Sequence, residues 1–176
     1  MTNVLIVDDQ EMIRAGLRII LDAQEDVDVV ADVGDGYQAL DLLAGAEPQV
    51  DVILIDIRMP GIDGVETTRR IRERYDRDRV RIIVLTTFEH DENVFAALRA
   101  GADGFLGKGV GPAELTTAIR EVAAGGGTLS AQATAAVIGH VAESKTPARD
   151  DALAARFALL TPPRTGDGPR RSGRAE

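Results

Sequence analysis

The chain has no cysteine, which excludes a disulfide framework, a thiol nucleophile and a cysteine-based zinc site. Histidine is scarce as well: His90 and His140 are the only imidazoles that could ligate a metal, so neither a redox nor a zinc role is expected. No apolar run approaches the roughly 18 residues that a membrane-spanning helix needs, and Met1-Thr2-Asn3 carries no basic leader. These absences predict a soluble, cytoplasmic chain with no membrane partner. Positive charge is in deficit. The net charge of −9 argues against general affinity for nucleic acid, and any basic patch lies at the C-terminal end. Apolar residues, by contrast, make up 44% of the 176, enough for one ordinary domain with a real core and an appendage.

The pattern is organised around Asp51 to Gly64. Val52-Ile53-Leu54-Ile55 is short, apolar and rich in β-branched residues, as a strand buried on both faces would be, and Met59-Pro60-Gly61 supplies strong turn signals after it. Asp56 therefore stands at the carboxyl end of a central strand, where open α/β sheets build their sites. Taken alone, such an Asp is as readily explained as a cap on the following turn.

The rest of the chain repeats the unit. Val4 to Val7 reads as a strand closed by Asp8-Asp9, followed by a helix with Ile13, Leu17, Ile20 and Leu21 at helical spacing. Val27 to Val33 alternates in part, as an edge strand does, and Leu40 and Leu43 mark the next helix. Val65, Thr68 and Ile71 line a third helix. Val80 to Leu85 is a strand ending in Thr86-Thr87, and Val94, Phe95 and Leu98 form a helix stopped by Gly101. Phe105-Leu106 reads as a fifth strand, and Pro112 opens a helix carrying Leu115, Ile119 and Val122. Strands alternating with helices predict an α/β fold: a five-stranded parallel, doubly wound, flavodoxin-like sheet with right-handed crossovers, a C-terminal helical extension and a disordered tail. The expected divisions are 1–125 for this domain, 126–160 for a linker with one or two helices, and 161–176 for a remnant. Gly125-Gly126-Gly127 ends the domain, and Ser130 caps a helix reaching about Glu143. Ser144 to Asp151 is a polar linker, Leu153, Phe157 and Leu160 recur at helical spacing, and Arg164 to Glu176 has almost nothing to bury.

Asp8, Asp9, Asp56, Thr86 and Lys108 all follow strands and so land on one rim of the sheet. Each alone has a dull explanation as a cap, a strand-favouring hydroxyl or a solvated charge; their convergence is the signal. In that order the segments Val-Asp-Asp, Ile-Asp-Ile-Arg-Met-Pro-Gly-Ile-Asp-Gly, Leu-Thr-Thr-Phe and Gly-Phe-Leu-Gly-Lys resemble the receiver domain of two-component response regulators, over about Asn3 to Ala124. Leu85 to Phe88, Ala97 to Ala102 and Gly104 to Leu106 look further like the NarL/FixJ subclass, whose members usually carry a LuxR-type helix-turn-helix. The resemblance implies that Asp56 is the phosphoacceptor for a sensor histidine kinase. It implies that Asp9, Asp56 and the Arg58 backbone carbonyl bind Mg²⁺, with Asp8 helping through water. Thr86 and Lys108 would contact the phosphoryl group, and Phe105 would move when Thr86 does. A phosphorylation-dependent homodimer goes with this reading, as does a chain that is no enzyme beyond its own phosphorylation and dephosphorylation. The chemistry agrees. Carboxylates crowded to 4 Å repel by about 4 kcal/mol per pair at an effective dielectric of 20, which invites a hard divalent cation.

Two departures from the subclass stand out. Lys108 is followed by Gly109 and flanked by Gly107 and Gly111, which predicts a looser loop. Leu160-Thr161-Pro162 resembles the entry to the helix-turn-helix, but Pro163, Gly166, Gly168 and Pro169 forbid the helix that should follow. The expectation is a receiver whose output domain is truncated or frameshifted, with no specific DNA binding. A LuxR-type DNA-binding regulator is the alternative, although Arg164, Arg170, Arg171 and Arg174 could touch phosphates without reading bases. A haloacid-dehalogenase-type phosphatase needs a second acid two residues past the nucleophile, where this chain has Arg58, and a flavodoxin-like cofactor binder needs a phosphate cradle where it has Asp8-Asp9. The positions that orient an attacking water, two beyond Asp56 and two beyond Thr86, are Arg58 and Phe88. Neither accepts a proton from water, so slow dephosphorylation is expected.

Overall fold

The computed structural model describes residues 1–87 and 91–144. Phe88, the polar linker, the Leu153–Leu160 periodicity and the tail therefore lie outside the described residues. The elements run β1 (Thr2–Val7), α1 (Glu11–Asp22), β2 (Val27–Val33), α2 (Gly36–Ala44), β3 (Val52–Asp56), α3 (Gly64–Arg72), β4 (Arg81–Thr86), α4 (Asp91–Ala100), β5 (Gly104–Gly107), α5 (Pro112–Ala123), β6 (Thr128–Leu129) and α6 (Ala131–Ser144). The sheet order is β2-β1-β3-β4-β5-β6, every pair parallel. Its compact unit spans Met1–His140.

Strand periodicity splits the core in two. Leu5, Val7, Ile53, Ile55, Ile82, Val84 and Phe105 face one layer, built with Ala39 and Leu43 of α2, Ile71 of α3 and Val94 and Ala97 of α4. Val4, Ile6, Val52, Leu54, Ile83, Leu85 and Leu106 face the other, where Leu21 of α1 and Leu115, Ile119 and Val122 of α5 cover them. Burying such a side chain stabilises by about 1.5–3 kcal/mol, and both sheet faces are filled this way, which is what a parallel sheet requires.

Short polar side chains or proline mark the starts of α2, α3, α5 and α6. Asp35 accepts from the Gln38 amide, Asp63 from the Glu66 amide, and Pro112 occupies the first turn of α5. Ser130 accepts from the Ala133 amide at 3.1 Å and so caps α6.

The expected five strands are six. Thr128-Leu129 pairs with β5, Gly104 opposite Thr128 and Phe105 opposite Leu129, and the Ser130 amide donates to the Phe105 carbonyl at 2.9 Å. Two residues are too few for a period to register, and what makes them a strand is the open edge of β5, whose carbonyls need donors. Ala133 of α6 is buried in the same layer as Phe105. Among the described residues no helix is long and apolar enough to cross a membrane.

Candidate functional site

Register brings the strand ends together. Val7 lies opposite Ile55, Asp56 opposite Leu85, and Thr86 opposite Gly107, so the residues that follow or close β1, β3, β4 and β5 share one rim. The Lys108 amide donates to the Thr86 carbonyl at 2.8 Å and the Asp8 amide to the Val33 carbonyl at 3.1 Å. These bonds hold the loops to the sheet despite the glycines beside Lys108.

Asp8 and Asp56 are 2% and 4% exposed, Thr86 is buried, and Asp9 is exposed. The Lys108 side chain, 7% exposed, sets its Nζ 2.6 Å from Asp8 Oδ2 and 3.0 Å from Asp56 Oδ2. The Gln10 amide donates to Asp8 Oδ1 at 2.8 Å. Carboxylate oxygens of Asp8, Asp9 and Asp56 all lie within 4.8 Å of one another. That donor set fits a hard divalent cation: it is all oxygen and anionic, with one exposed member that leaves room for coordinated water. Phe105 is wholly buried on β5, and Arg58 is exposed two residues past Asp56.

The charges perturb one another. Burial pushes the Asp56 carboxyl above its ordinary range, the hydrogen bond and charge of Lys108 pull it back in part, and Asp8 adds to the rise. For Lys108, burial pulls the ammonium down, but the hydrogen bonds and charges of Asp8 and Asp56 outweigh it and leave the group above its ordinary value.

Three further residues build this end of the molecule, and what each contributes is seen only in the structure. Gly64, first residue of α3, is one: a Cβ there would sit 2.1 Å from the Asp56 carbonyl oxygen, so only glycine lets α3 abut the end of β3. Gln10 is another, because its contribution is a backbone amide that any residue would carry. Arg14 is the third, its Nη1 donating to the Asp8 carbonyl at 2.7 Å from one turn inside α1. At the opposite end of β4, Asp103 gathers Arg72, Arg77 and Arg81 and accepts from the Ile82 amide at 2.8 Å.

The family model for the response regulator receiver domain matches residues 4–120. The chain is 37% identical over 128 residues to the nitrate/nitrite response regulator protein NarL of Escherichia coli, covering 73% of this chain and 57% of that protein. It is 45% identical over 127 residues to the response regulator UvrY of Escherichia coli, covering 71% and 56%. It therefore spans little more than half the length of those two relatives. In structure it is similar to a LuxR-family two-component response regulator from Aurantimonas sp. SI85-9A1, with a TM-score of 0.73 and 29% identity over 81% of this chain and 99% of that one. The matched span of 4–120 contains Asp8, Asp9, Asp56, Thr86 and Lys108, and the chain belongs to the response regulator receiver domain family, in its NarL/FixJ, LuxR-type branch.

Proposed function

We propose that Asp56 accepts a phosphoryl group from the phosphohistidine of a sensor histidine kinase. An Asp56 carboxylate oxygen attacks phosphorus in line, the phosphorus–nitrogen bond breaks with its electron pair remaining on the imidazole, and an acyl phosphate results. The observation that carries this reading is the Lys108 bridge: one buried ammonium touches both Asp8 and Asp56 at the mouth of a three-carboxylate cluster. Asp9, Asp56 and the Arg58 carbonyl would hold Mg²⁺, with Asp8 acting through water. When bound, the cation supplies positive charge that offsets the carboxylates and the incoming phosphoryl oxygens. Lys108 takes up part of the charge of the product, which adds roughly two negative charges beside the β4 and β5 ends. Thr86 contacts the phosphoryl oxygens and Phe105 follows it, biasing a pre-existing equilibrium in the last strand-helix units.

A cleft of about 170 Å³ beside Lys108, lined by Ile13, Leu17, Ile20, Val110, Leu115 and the exposed Met12, suits the apolar surface of the kinase. A phosphorylation-dependent homodimer belongs to the same proposal. So does the division of the chain, in which the receiver runs past the expected boundary at 125 to take in β6 and Ala133, which pair and pack with β5, and in which 161–176 stands apart from it. The chain turns over no substrate other than its own acyl phosphate. Incubation with a small phosphodonor and Mg²⁺ tests the reading by intact mass: one phosphoryl group on the wild type and none on Asp56→Asn is expected, and equal labelling of both overturns it.

A further inference from the structure

We propose that Arg14 is a positioning residue for the divalent-cation site, holding the Asp8–Asp9 peptide in the orientation that lets the two acids converge on Asp56. The inference rests on the cation reading above and extends it to a residue that is not a ligand.

β1 ends at Val7, so the Asp8 carbonyl lies past the last residue of the strand. The partner it receives is Arg14 Nη1, at 2.7 Å. Asp8 is then held at four points: its amide by the Val33 carbonyl, its carbonyl by Arg14, and its two carboxylate oxygens by the Gln10 amide and by Lys108. Asp9 has no such set. It is exposed, and what fixes its starting point is the peptide plane it shares with Asp8, whose oxygen Arg14 grips. Loss of that grip frees the plane to rotate and swings Asp9 away while Asp8 stays tied to Lys108.

Arg14 can act as a fixed post because its other edge is anchored. Its Nε lies 3.2 Å from Asp32 Oδ1, and Arg18 occupies Asp32 Oδ2 at 2.7 Å while also donating to the Val29 carbonyl. One planar guanidinium thus ties β2 to the loop after β1 through two different nitrogens. A lysine keeps the charge but offers a single point, which cannot serve a carbonyl and a carboxylate in this fork geometry.

The sign of the effect separates positioning from electrostatics. Arg14→Gln removes a positive charge close to a cation site, so Coulomb's law alone predicts tighter cation binding. Positioning predicts weaker binding. Groups that orient metal ligands without touching the metal are typically worth about 10–100-fold in affinity, and the shared carbonyl grip places Arg14 near the lower figure.

The experiment is calorimetric titration of the full 176-residue chain with MgCl₂ alone, with melting temperature in EDTA as the check on folding. Arg14→Gln and Arg14→Lys should each raise the Kd for Mg²⁺ about tenfold. Arg18→Gln, which removes a neighbour of the same Asp32 without touching Asp8, should leave it within about twofold. Wild-type affinity in both Arg14 variants, tighter binding in Arg14→Gln, or an equal loss in Arg18→Gln overturns the proposal. A wild type that binds no Mg²⁺ overturns the cation reading itself, so the two failures are distinct.

Discussion

Replacing Lys108 by methionine removes the ammonium that two buried carboxylates share while keeping most of the side-chain volume. At 2.6 Å and 3.0 Å each contact represents a gross attraction of about 6 kcal/mol at an effective dielectric of 20, much of it offset by the desolvation of the ammonium. Removing one partner of a buried pair typically costs about 3–5 kcal/mol, because the abandoned charge stays buried. The lower end applies here: the Asp56 carboxyl, already raised by burial, can relieve the repulsion by taking up a proton, and Asp9 admits solvent. A loss of about 3 kcal/mol corresponds to a fall of roughly 6–12 °C in melting temperature for a domain of this size. Urea and thermal unfolding at pH 7 in EDTA would measure it. Two companion measurements isolate the cause. Lys108→Met combined with Asp56→Asn should recover at least half of the loss, because one of the two stranded charges is gone. Millimolar Mg²⁺ should also narrow the gap, because a cation among the carboxylates replaces the missing ammonium in the folded state only. A loss below about 1 kcal/mol, the range of an exposed pair, would refute the reasoning, as would a double variant no more stable than the single one.

Asp103→Ala should destabilise by about 3 kcal/mol in urea unfolding, because its carboxylate is 1% exposed and its loss leaves the charge of Arg72, 2.6 Å away, facing backbone carbonyls, those of Gly101 and Val80 among them. Arg77→Ala, at a side chain 54% exposed on the same carboxylate, should cost under about 1 kcal/mol, and equal effects would show that burial does not set the value of this cluster. For Asp56 the pH dependence has a definite sign. Its folded pKa is raised above the ordinary 3.8, so the folded state binds the extra proton and stability falls as pH rises from that value through the folded one, remaining low above it. The stability advantage of Asp56→Asn over wild type in EDTA should therefore grow between pH 4 and neutrality, and a flat difference would contradict the assignment. Arg58→Asn and Phe88→Glu should each speed loss of the phosphoryl group, since each offers a water the acceptor that the native residue lacks. Time courses after removal of the donor would test this, and unchanged rates in both would show that these positions do not set the lifetime.

Much of the site is legible in one dimension because a parallel sheet turns sequence position into spatial position. A buried apolar run such as Val52 to Ile55 has a definite carboxyl end, and in a doubly wound sheet all those ends share a rim. Asp8, Asp9, Asp56, Thr86 and Lys108 could therefore be grouped from chain order alone. The receiver resemblance is legible for the same reason, since Val-Asp-Asp, Ile-Asp-Ile-Arg-Met-Pro-Gly and Gly-Phe-Leu-Gly-Lys run through those ends. The edge position of β2 also shows, in its partial alternation. By contrast β6 has two residues and no period, and only the unpaired edge of β5 makes it a strand.

Chain order does not say which acid is buried. Asp8 and Asp9 are adjacent and chemically alike, and only the closing of β1 against β2 and β3 turns one onto Lys108 and leaves the other in solvent. The reach of Arg14 back to the Asp8 carbonyl and the gathering of Arg72 and Asp103, 31 residues apart, are equally silent in the sequence. An arginine on a helix reads as a solvated charge until its neighbours are known. Hydrophobic period is a local property that each segment carries by itself, so the sequence determined the layers, the strand ends and the rim. A hydrogen bond or an ion pair depends on the separation and desolvation of groups from different segments, so only the tertiary structure decided which charges at that rim are paired and which face water.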